Sequence, residues 1–171
     1  MEEPAGLLKS LQRSAVDRDE GDARFRCLSM AVVAEAAGKH DLTTREVSIF
    51  ALEHGLLPYR YVKNVGTVGL AGQARLLGSR ALVVGAGGIG GSACELLARM
   101  GVGTIVLVDP DTFDETNLNR QNFCCGDVIA TPRWTWSRTG SWRSTATWML
   151  SGGAWPRTLK LFPRSCPALT W

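Results

Sequence analysis

The chain has 171 residues, 45% hydrophobic and 20% charged, with a formal net charge of +3. That length suggests one domain, and the balance is that of an ordinary globular protein rather than a disordered or fibrous one. No apolar run approaches the roughly 18 residues of a membrane span, which excludes a helical membrane protein.

The mean charge conceals a break. After Asp127 there is no acidic residue, while six basic ones follow, and all six Trp lie beyond the same point. Removing those six from the 19 basic residues leaves 13 against 16 acidic in residues 1–127, a net of −3. The five cysteines show no C-x-x-C pair, so neither a zinc site nor a disulfide framework is expected, and a reducing cytoplasm is. No secretory signal is expected either, since the first apolar run, 28–37, starts late and contains Glu35.

Residues 1–26 are polar and charge-mixed, and read as a mobile arm or a loosely held helix. Residues 27–37 read as a helix stopped by Gly38. A second helix opens on a capping box, Thr43 with Glu46, runs through Val47, Phe50 and Ala51, and ends near Gly55 and Pro58. His40 and His54 stand alone without further metal ligands in reach. Arg60-Tyr61-Val62-Lys63-Asn64 follows, then Gly66 and Gly69, and a short amphipathic helix over 72–77.

Ala81-Leu82-Val83-Val84 has the composition of a strand buried on both faces. It runs into Gly85-Ala86-Gly87-Gly88-Ile89-Gly90, a G-x-G-x-x-G turn in its required place between strand and helix. Gly85 serves the tight turn, Gly87 the close approach of a phosphate, and Gly90 the packing of helix on strand. Ile89, Ala93, Leu96, Leu97 and Met100 recur at helical spacing, Gly101 stops the helix, and Cys94 is a packing residue within it. Residues 104–108 form a second buried strand ending in Asp109, where Rossmann-type folds place the carboxylate that holds a ribose hydroxyl. Strand, glycines, helix, strand and terminal acid in register point to a nucleotide.

Which nucleotide is decided by Asp109-Pro110-Asp111-Thr112-Phe113-Asp114 and Thr116-Asn117-Leu118-Asn119-Arg120-Gln121. A dinucleotide oxidoreductase needs no such run of amides and guanidinium. The combination of GxGGxG, D-x-D and N-L-x-R-Q resembles the ThiF/MoeB/HesA adenylyltransferases, relatives of the ubiquitin-activating enzymes, over roughly residues 60–132. The resemblance implies an α/β, Rossmann-like parallel sheet, present here as its N-terminal portion only and preceded by helices. It implies ATP as the nucleotide and Mg²⁺ as its counter-ion, although the family's magnesium-binding aspartate has no counterpart after Asp127. Its implied activity is adenylylation of the C-terminal carboxylate of a ubiquitin-like sulfur-carrier protein, within a cytoplasmic homodimer that uses neither membrane nor nucleic acid. A carboxylate is already a nucleophile at neutral pH, so such catalysis reduces to positioning and charge stabilisation.

Carried onto this chain, the resemblance makes Gly85, Gly87, Gly88, Gly90, Asp109, Asp111, Asn117, Asn119, Arg120, Gln121 and Arg133 the expected nucleotide-binding residues. Asp111 is better suited to bracing the loop, and Asn119 could equally cap a turn. Arg120, with a fork that can bind two oxygens at once, and Lys63 are the catalytic candidates. Lys63 stands where the family's R-Y-x-R-Q segment has an arginine that reaches the triphosphate of a neighbouring subunit, and it lacks the planar fork. Arg133 stands in place of the family's P-K lysine. Two other readings remain: an NAD- or FAD-binding oxidoreductase, which the glycine turn and Asp109 alone would fit, and a non-catalytic nucleotide-binding module.

The expected organisation is therefore a polar arm (1–26), a helical segment (27–79), a partial Rossmann-like ATP-binding domain (80–132) and a Trp/Arg-rich tail without regular structure (133–171). The tail lacks helical periodicity and strand alternation. Its composition is that of a G/C-rich gene read out of frame. Pro132-Arg133-Trp134-Thr135-Trp136-Ser137-Arg138 can be written CCA AGG TGG ACG TGG TCG CGG, which from its third base reads Lys-Val-Asp-Val-Val-Ala. The expectation is an inactive fragment, truncated and frameshifted near the codon for Pro132.

Overall fold

The computed structural model describes residues 6–133. It divides into two compact units, with the boundary between Ser79 and Arg80.

In the first unit, α1 (Leu7–Ser14) places Leu7 and Leu11 one turn apart, both fully buried. A hairpin follows, β1 (Val16–Glu20) antiparallel to β2 (Ala23–Leu28), turned at Gly21 with φ 59°. Glycine serves at the first position of such two-residue turns because it tolerates positive φ. Helix α2 (Met30–Lys39) starts on Ser29, whose hydroxyl accepts from the Val32 N–H at 3.3 Å. Helix α3 (Thr44–Glu53) opens on the complete capping box: Thr43 Oγ1 accepts from the Glu46 N–H at 3.2 Å, and Glu46 Oε2 accepts from the Thr43 N–H at 2.8 Å. The short strand β3 (Leu56–Pro58) pairs parallel with β2, giving a three-stranded sheet in the order β1-β2-β3.

Two clusters fill this unit. Leu7, Leu11, Leu28, Val33, Val47, Ala51 and Leu56 make one, and Cys27, Leu52, Leu57, Tyr61, Val62, Val65 and Leu77 the other. Helix α4 (Val62–Gly78) is broken at Gly69, whose φ 69° and ψ 173° only glycine adopts freely. Asn64 Nδ2 donates to the buried Gln73 Oε1 across that break at 2.9 Å.

The arm expected over 1–26 is, from Leu7 onward, a helix and a hairpin instead. The sequence hid both for physical reasons. Helix α1 has barely two turns of periodicity. Strand β1 is exposed along most of its length, so main-chain pairing and charge hold it rather than burial, with Arg24 donating to Asp17 at 3.0 Å. Cys27, expected to begin a helix, belongs to β2; the helix waits for the Ser29 cap.

The second unit begins β4 (Arg80–Val84), α5 (Gly88–Met100), β5 (Thr104–Val108), with the strands parallel and in register, Arg80 opposite Thr104 and Val84 opposite Val108. Gly101 ends α5 in the left-handed region (φ 90°). This is the expected Rossmann-like strand–helix–strand core, with one correction. Strand β4 is not buried on both faces: Leu82 is 65% and Val84 76% exposed, because α5 lies on the Val83 face and nothing among the described residues covers the other. The periodic residues of α5 are also reassigned, since Ile89, Leu96 and Met100 are exposed while Gly91 and Cys94 face inward.

Residues 109–133 form a loop closed at its neck. Thr112 and Pro132 make an antiparallel bridge, the Phe113 N–H donates to Thr131 O at 2.9 Å, and the Ala130 N–H to Phe113 O at 2.8 Å. Phe113, Asn117, Gln121 and Phe123 fill it. The tail expected over 133–171 lies outside the described residues, apart from Arg133.

Candidate nucleotide site in the second unit

The glycine turn is built as its spacing requires. Gly85 has φ 91° and its N–H donates to Val108 O at 2.7 Å, which ties the turn to the end of β5. A Cβ on Gly90 would lie 2.8 Å from the carbonyl carbon of Gly85, so any side chain there drives the helix off the turn. Gly87 is the N-cap of α5, and no side chain caps the helix. The first intrahelical bond is Gly91 N–H to Gly87 O at 2.8 Å, which leaves the N–H groups of Gly88, Ile89 and Gly90 without helical acceptors. An uncapped helix start of this kind favours an anion.

Asp109 is 2% exposed. Its Oδ2 accepts from the Ala86 N–H at 2.5 Å and its Oδ1 from the Asp111 N–H at 2.8 Å, so it joins the glycine turn to the following loop. The Ala86 contact is a site feature that the sequence reading lacks, because a donor supplied by main chain leaves no mark on residue type.

Asn117 is buried and works inside the loop. It closes a short 3-10 turn (Glu115–Asn117), accepting at Oδ1 from the Asp114 N–H at 3.1 Å. Asp114 in turn accepts from the Thr116 hydroxyl and N–H, which hold its carboxyl below the usual range. Asn119 and Arg120 are exposed, and Arg120 Nη1 donates to Thr116 O at 2.8 Å and to Asn119 Oδ1 at 3.0 Å. Gln121 is buried, and its Oε1 has no hydrogen-bond partner among the described residues. A Cβ on Gly88 would lie 3.3 Å from Arg120 O, so the loop lies directly against the start of α5. Asn122 adds a link the motifs did not suggest, donating from Nδ2 to Ser92 Oγ and Glu95 Oε2, both at 3.3 Å.

Arg133 Nη1 donates to Asp111 Oδ2 at 2.8 Å and lies 3.7 Å from Asp109 Oδ2, while Nη2 donates to Asn117 Oδ1 at 3.2 Å. Lys63 lies in the first unit, where it is ion-paired with Glu20; that contact raises its pKa. Cys124 is buried and desolvation raises its thiol, while Cys125 beside it is partly exposed. The second unit thus assembles the glycines, Asp109, Asp111, Asn117, Asn119, Arg120, Gln121 and Arg133 in one turn-and-loop structure. The open helix start and the glycines fit the phosphates of a nucleotide. Among the described residues no group of three or more His, Cys, Asp or Glu gathers to hold a metal. No helix among the described residues is long and apolar enough to cross a membrane.

In comparison with known proteins, residues 60–134 match the model of the ThiF family. The chain is 47% identical over 76 residues to the SAMP-activating enzyme E1 of Haloferax volcanii, a match covering 43% of this chain and 28% of that protein. It is 41% identical over 87 residues to the adenylyltransferase and sulfurtransferase UBA4 of Yarrowia lipolytica, covering 50% of this chain and 21% of the other. A crystal structure of Escherichia coli tRNA N6-threonylcarbamoyladenosine dehydratase, TcdA, in complex with ATP is 32% identical, covers 46% of this chain and 32% of its own, and has a TM-score of 0.44. Each match spans less than a third of the relative's length.

Proposed function

We propose, from the match of residues 60–134 to the ThiF family model, that the second unit is the nucleotide half of an ATP-dependent adenylyltransferase acting on a carboxylate, the C-terminal carboxylate of a ubiquitin-like sulfur-carrier protein. The observation that carries the reading is the seating of the loop at Arg120 O against the uncapped start of α5, with Asp109 bonded both to the glycine turn at Ala86 and to the head of the loop at Asp111. An oxidoreductase fold needs the turn and Asp109 but not that loop.

In this reading the N–H groups of Gly88, Ile89 and Gly90 take phosphate oxygens, and Arg120 adds a two-point guanidinium contact. Asp109 keeps lone pairs beyond the two its backbone donors use, and accepts the ribose hydroxyls. The acceptor carboxylate is ionised at neutral pH, so no side chain need remove a proton; the residues contribute placement and charge. ATP supplies the adenylyl group, and magnesium, where used, comes with the nucleotide. Lys63 would act toward a neighbouring subunit once released from Glu20. The chain alone is proposed to bind ATP without completing the transfer.

Calorimetry on the full chain tests this. ATP is expected to bind in preference to NAD, and Asp109→Ala to weaken it about ten- to hundredfold, the equivalent of one charge-assisted hydrogen bond. Equal affinity for NAD overturns the assignment. Pyrophosphate exchange by the isolated chain would overturn its inactivity but not its chemistry. For residues 134–171 the proposal is a change of reading frame near the codon for Pro132. Resequencing decides it, and an alternative frame that stops at once or encodes no α/β pattern refutes it.

A further inference from the structure

We infer that Arg133 is a positioning residue, a clasp that holds the 109–133 loop in its binding form, and not a phosphate ligand. The inference rests on the nucleotide reading only for its second test.

Among the described residues, the contacts of Arg133 run to the loop itself. Its backbone N–H donates to Asp111 O at 2.9 Å and its Nη1 to Asp111 Oδ2 at 2.8 Å, so it grips one residue twice. Its Nη2 donates to Asn117 Oδ1 at 3.2 Å. Asn117 is the node from which the exposed residues hang: its carbonyl accepts from the Arg120 N–H at 3.2 Å and the Gln121 N–H at 3.0 Å. On the other side Arg133 Nη1 stands 3.7 Å from Asp109 Oδ2, the oxygen that accepts from the glycine turn. One guanidinium therefore connects the glycine turn, the head of the loop and the Asn117 node. Its planar fork makes the span possible, since two separate acceptors are met by two nitrogens in fixed relation.

Electrostatics argue the same way. The side chain of Arg133 is 14% exposed and flanked by the carboxylates of Asp109 and Asp111, so its surroundings carry net negative charge. A phosphate approaching it would meet two anions for one cation. Arg120 differs: it is exposed, it donates to the neutral oxygens of Thr116 and Asn119, and among the described residues it forms no ion pair. Partly desolvated contacts such as those of Arg133 are strengthened by the low local dielectric, which suits a residue that fixes geometry.

The experiment compares the full chain with Arg133→Met, Arg133→Lys and Asp111→Asn. Amide hydrogen exchange at residues 117, 120, 121 and 124 is expected to accelerate about ten- to hundredfold in Arg133→Met, while the amides of β4 and β5 keep their protection. Arg133→Lys retains a charge for Asp111 but not the reach to Asn117, and should fall between. Asp111→Asn should resemble Arg133→Met. Unchanged loop exchange, or equal loss of protection in loop and strands, overturns the clasp. Should Arg133→Met fail to fold, the lysine variant gives the same reading. Affinities for ATP, AMP and adenosine form the second arm. A clasp lowers all three by one common factor, whereas a loss that grows with the number of phosphates assigns Arg133 to phosphate and overturns the inference. If the unaltered chain binds none of the three, the nucleotide reading fails and hydrogen exchange alone decides the clasp.

Discussion

The first unit gathers its apolar side chains into two internal clusters, while the second leaves Leu82, Val84, Ile89 and Leu96 largely in water. The difference follows from architecture. Short helices and a hairpin enclose a small core with local contacts, and the Leu7, Leu11 and Leu57 positions are buried completely. A parallel sheet requires cover on both faces and strands on both sides, and among the described residues β4–β5 is a pair with one helix, α5. Two paired strands are marginal without further layers. The second unit spends its order on the turn and loop instead, where a network of main-chain and carboxylate contacts fixes the candidate site.

The sharpest test of that contrast compares Leu57 with Leu82. Leu57→Ala should cost roughly 2–5 kcal/mol, the usual result of emptying a filled core position. Leu82→Ala should stay within about 0.5 kcal/mol, as surface changes do. Urea unfolding followed by hydrogen exchange reads each unit separately, and comparable losses at both sites would break the comparison.

Glycines give the next largest effect. Gly90→Ala places a Cβ against the Gly85 carbonyl and should cost about 1–3 kcal/mol by overpacking. Gly38→Ala, inside α2 with no atom within 4 Å of the added carbon, should instead gain about 0.5–1 kcal/mol. A thermal melt of each variant suffices; destabilisation at Gly38 would show that the first unit is less well closed than its burial implies.

A smaller effect tests the capping box. Thr43→Ala should cost about 1 kcal/mol. The hydrogen bonds from the Thr43 side chain and backbone lower the pKa of Glu46. A lowered folded pKa means its contribution is complete above the unfolded value and lost as pH falls through the folded one, so the wild-type advantage should fade below about pH 4. An advantage that instead fades toward alkaline pH would contradict the assignment.

The mildest probe changes no energy. Burial raises the Cys94 thiol to about 11, and Cys27, Cys94 and Cys124 are buried while Cys125 is partly exposed. Alkylation at pH 8 with peptide mapping should modify Cys125 first of these four, and Cys94 only on unfolding. Early modification of Cys94 would mean that α5 does not stay on its sheet.

Much of the second unit was legible beforehand because its geometry depends on residue types with few substitutes. Gly85, Gly90 and Gly101 occupy backbone positions that other residues fill at a cost, and 104–108 is a continuous β-branched and apolar run. The capping box at Thr43 was legible for a similar reason, since it needs two particular side chains three residues apart. The hairpin at β1 and β2 was not, because main-chain pairing creates it and the side chains of β1 carry no alternation. Burial was misjudged on β4 and α5, where apolar composition promised a covering layer that the described residues do not supply.

For the candidate site, the sequence by itself determined its inventory: a phosphate-type turn, an acid closing the second strand, and a loop of amides with an arginine. Only the tertiary structure decided how those residues divide their work. Asn117, which residue type offers as a ligand, is enclosed and bonded within the loop, and Arg133 meets carboxylates rather than open space. Asp109 reaches the Ala86 N–H across 23 positions of chain. Local pattern records what a side chain can do, whereas its partners are set by segments that fold back from a distance, and a hydrogen bond once made to the protein determines which groups are left for anything else.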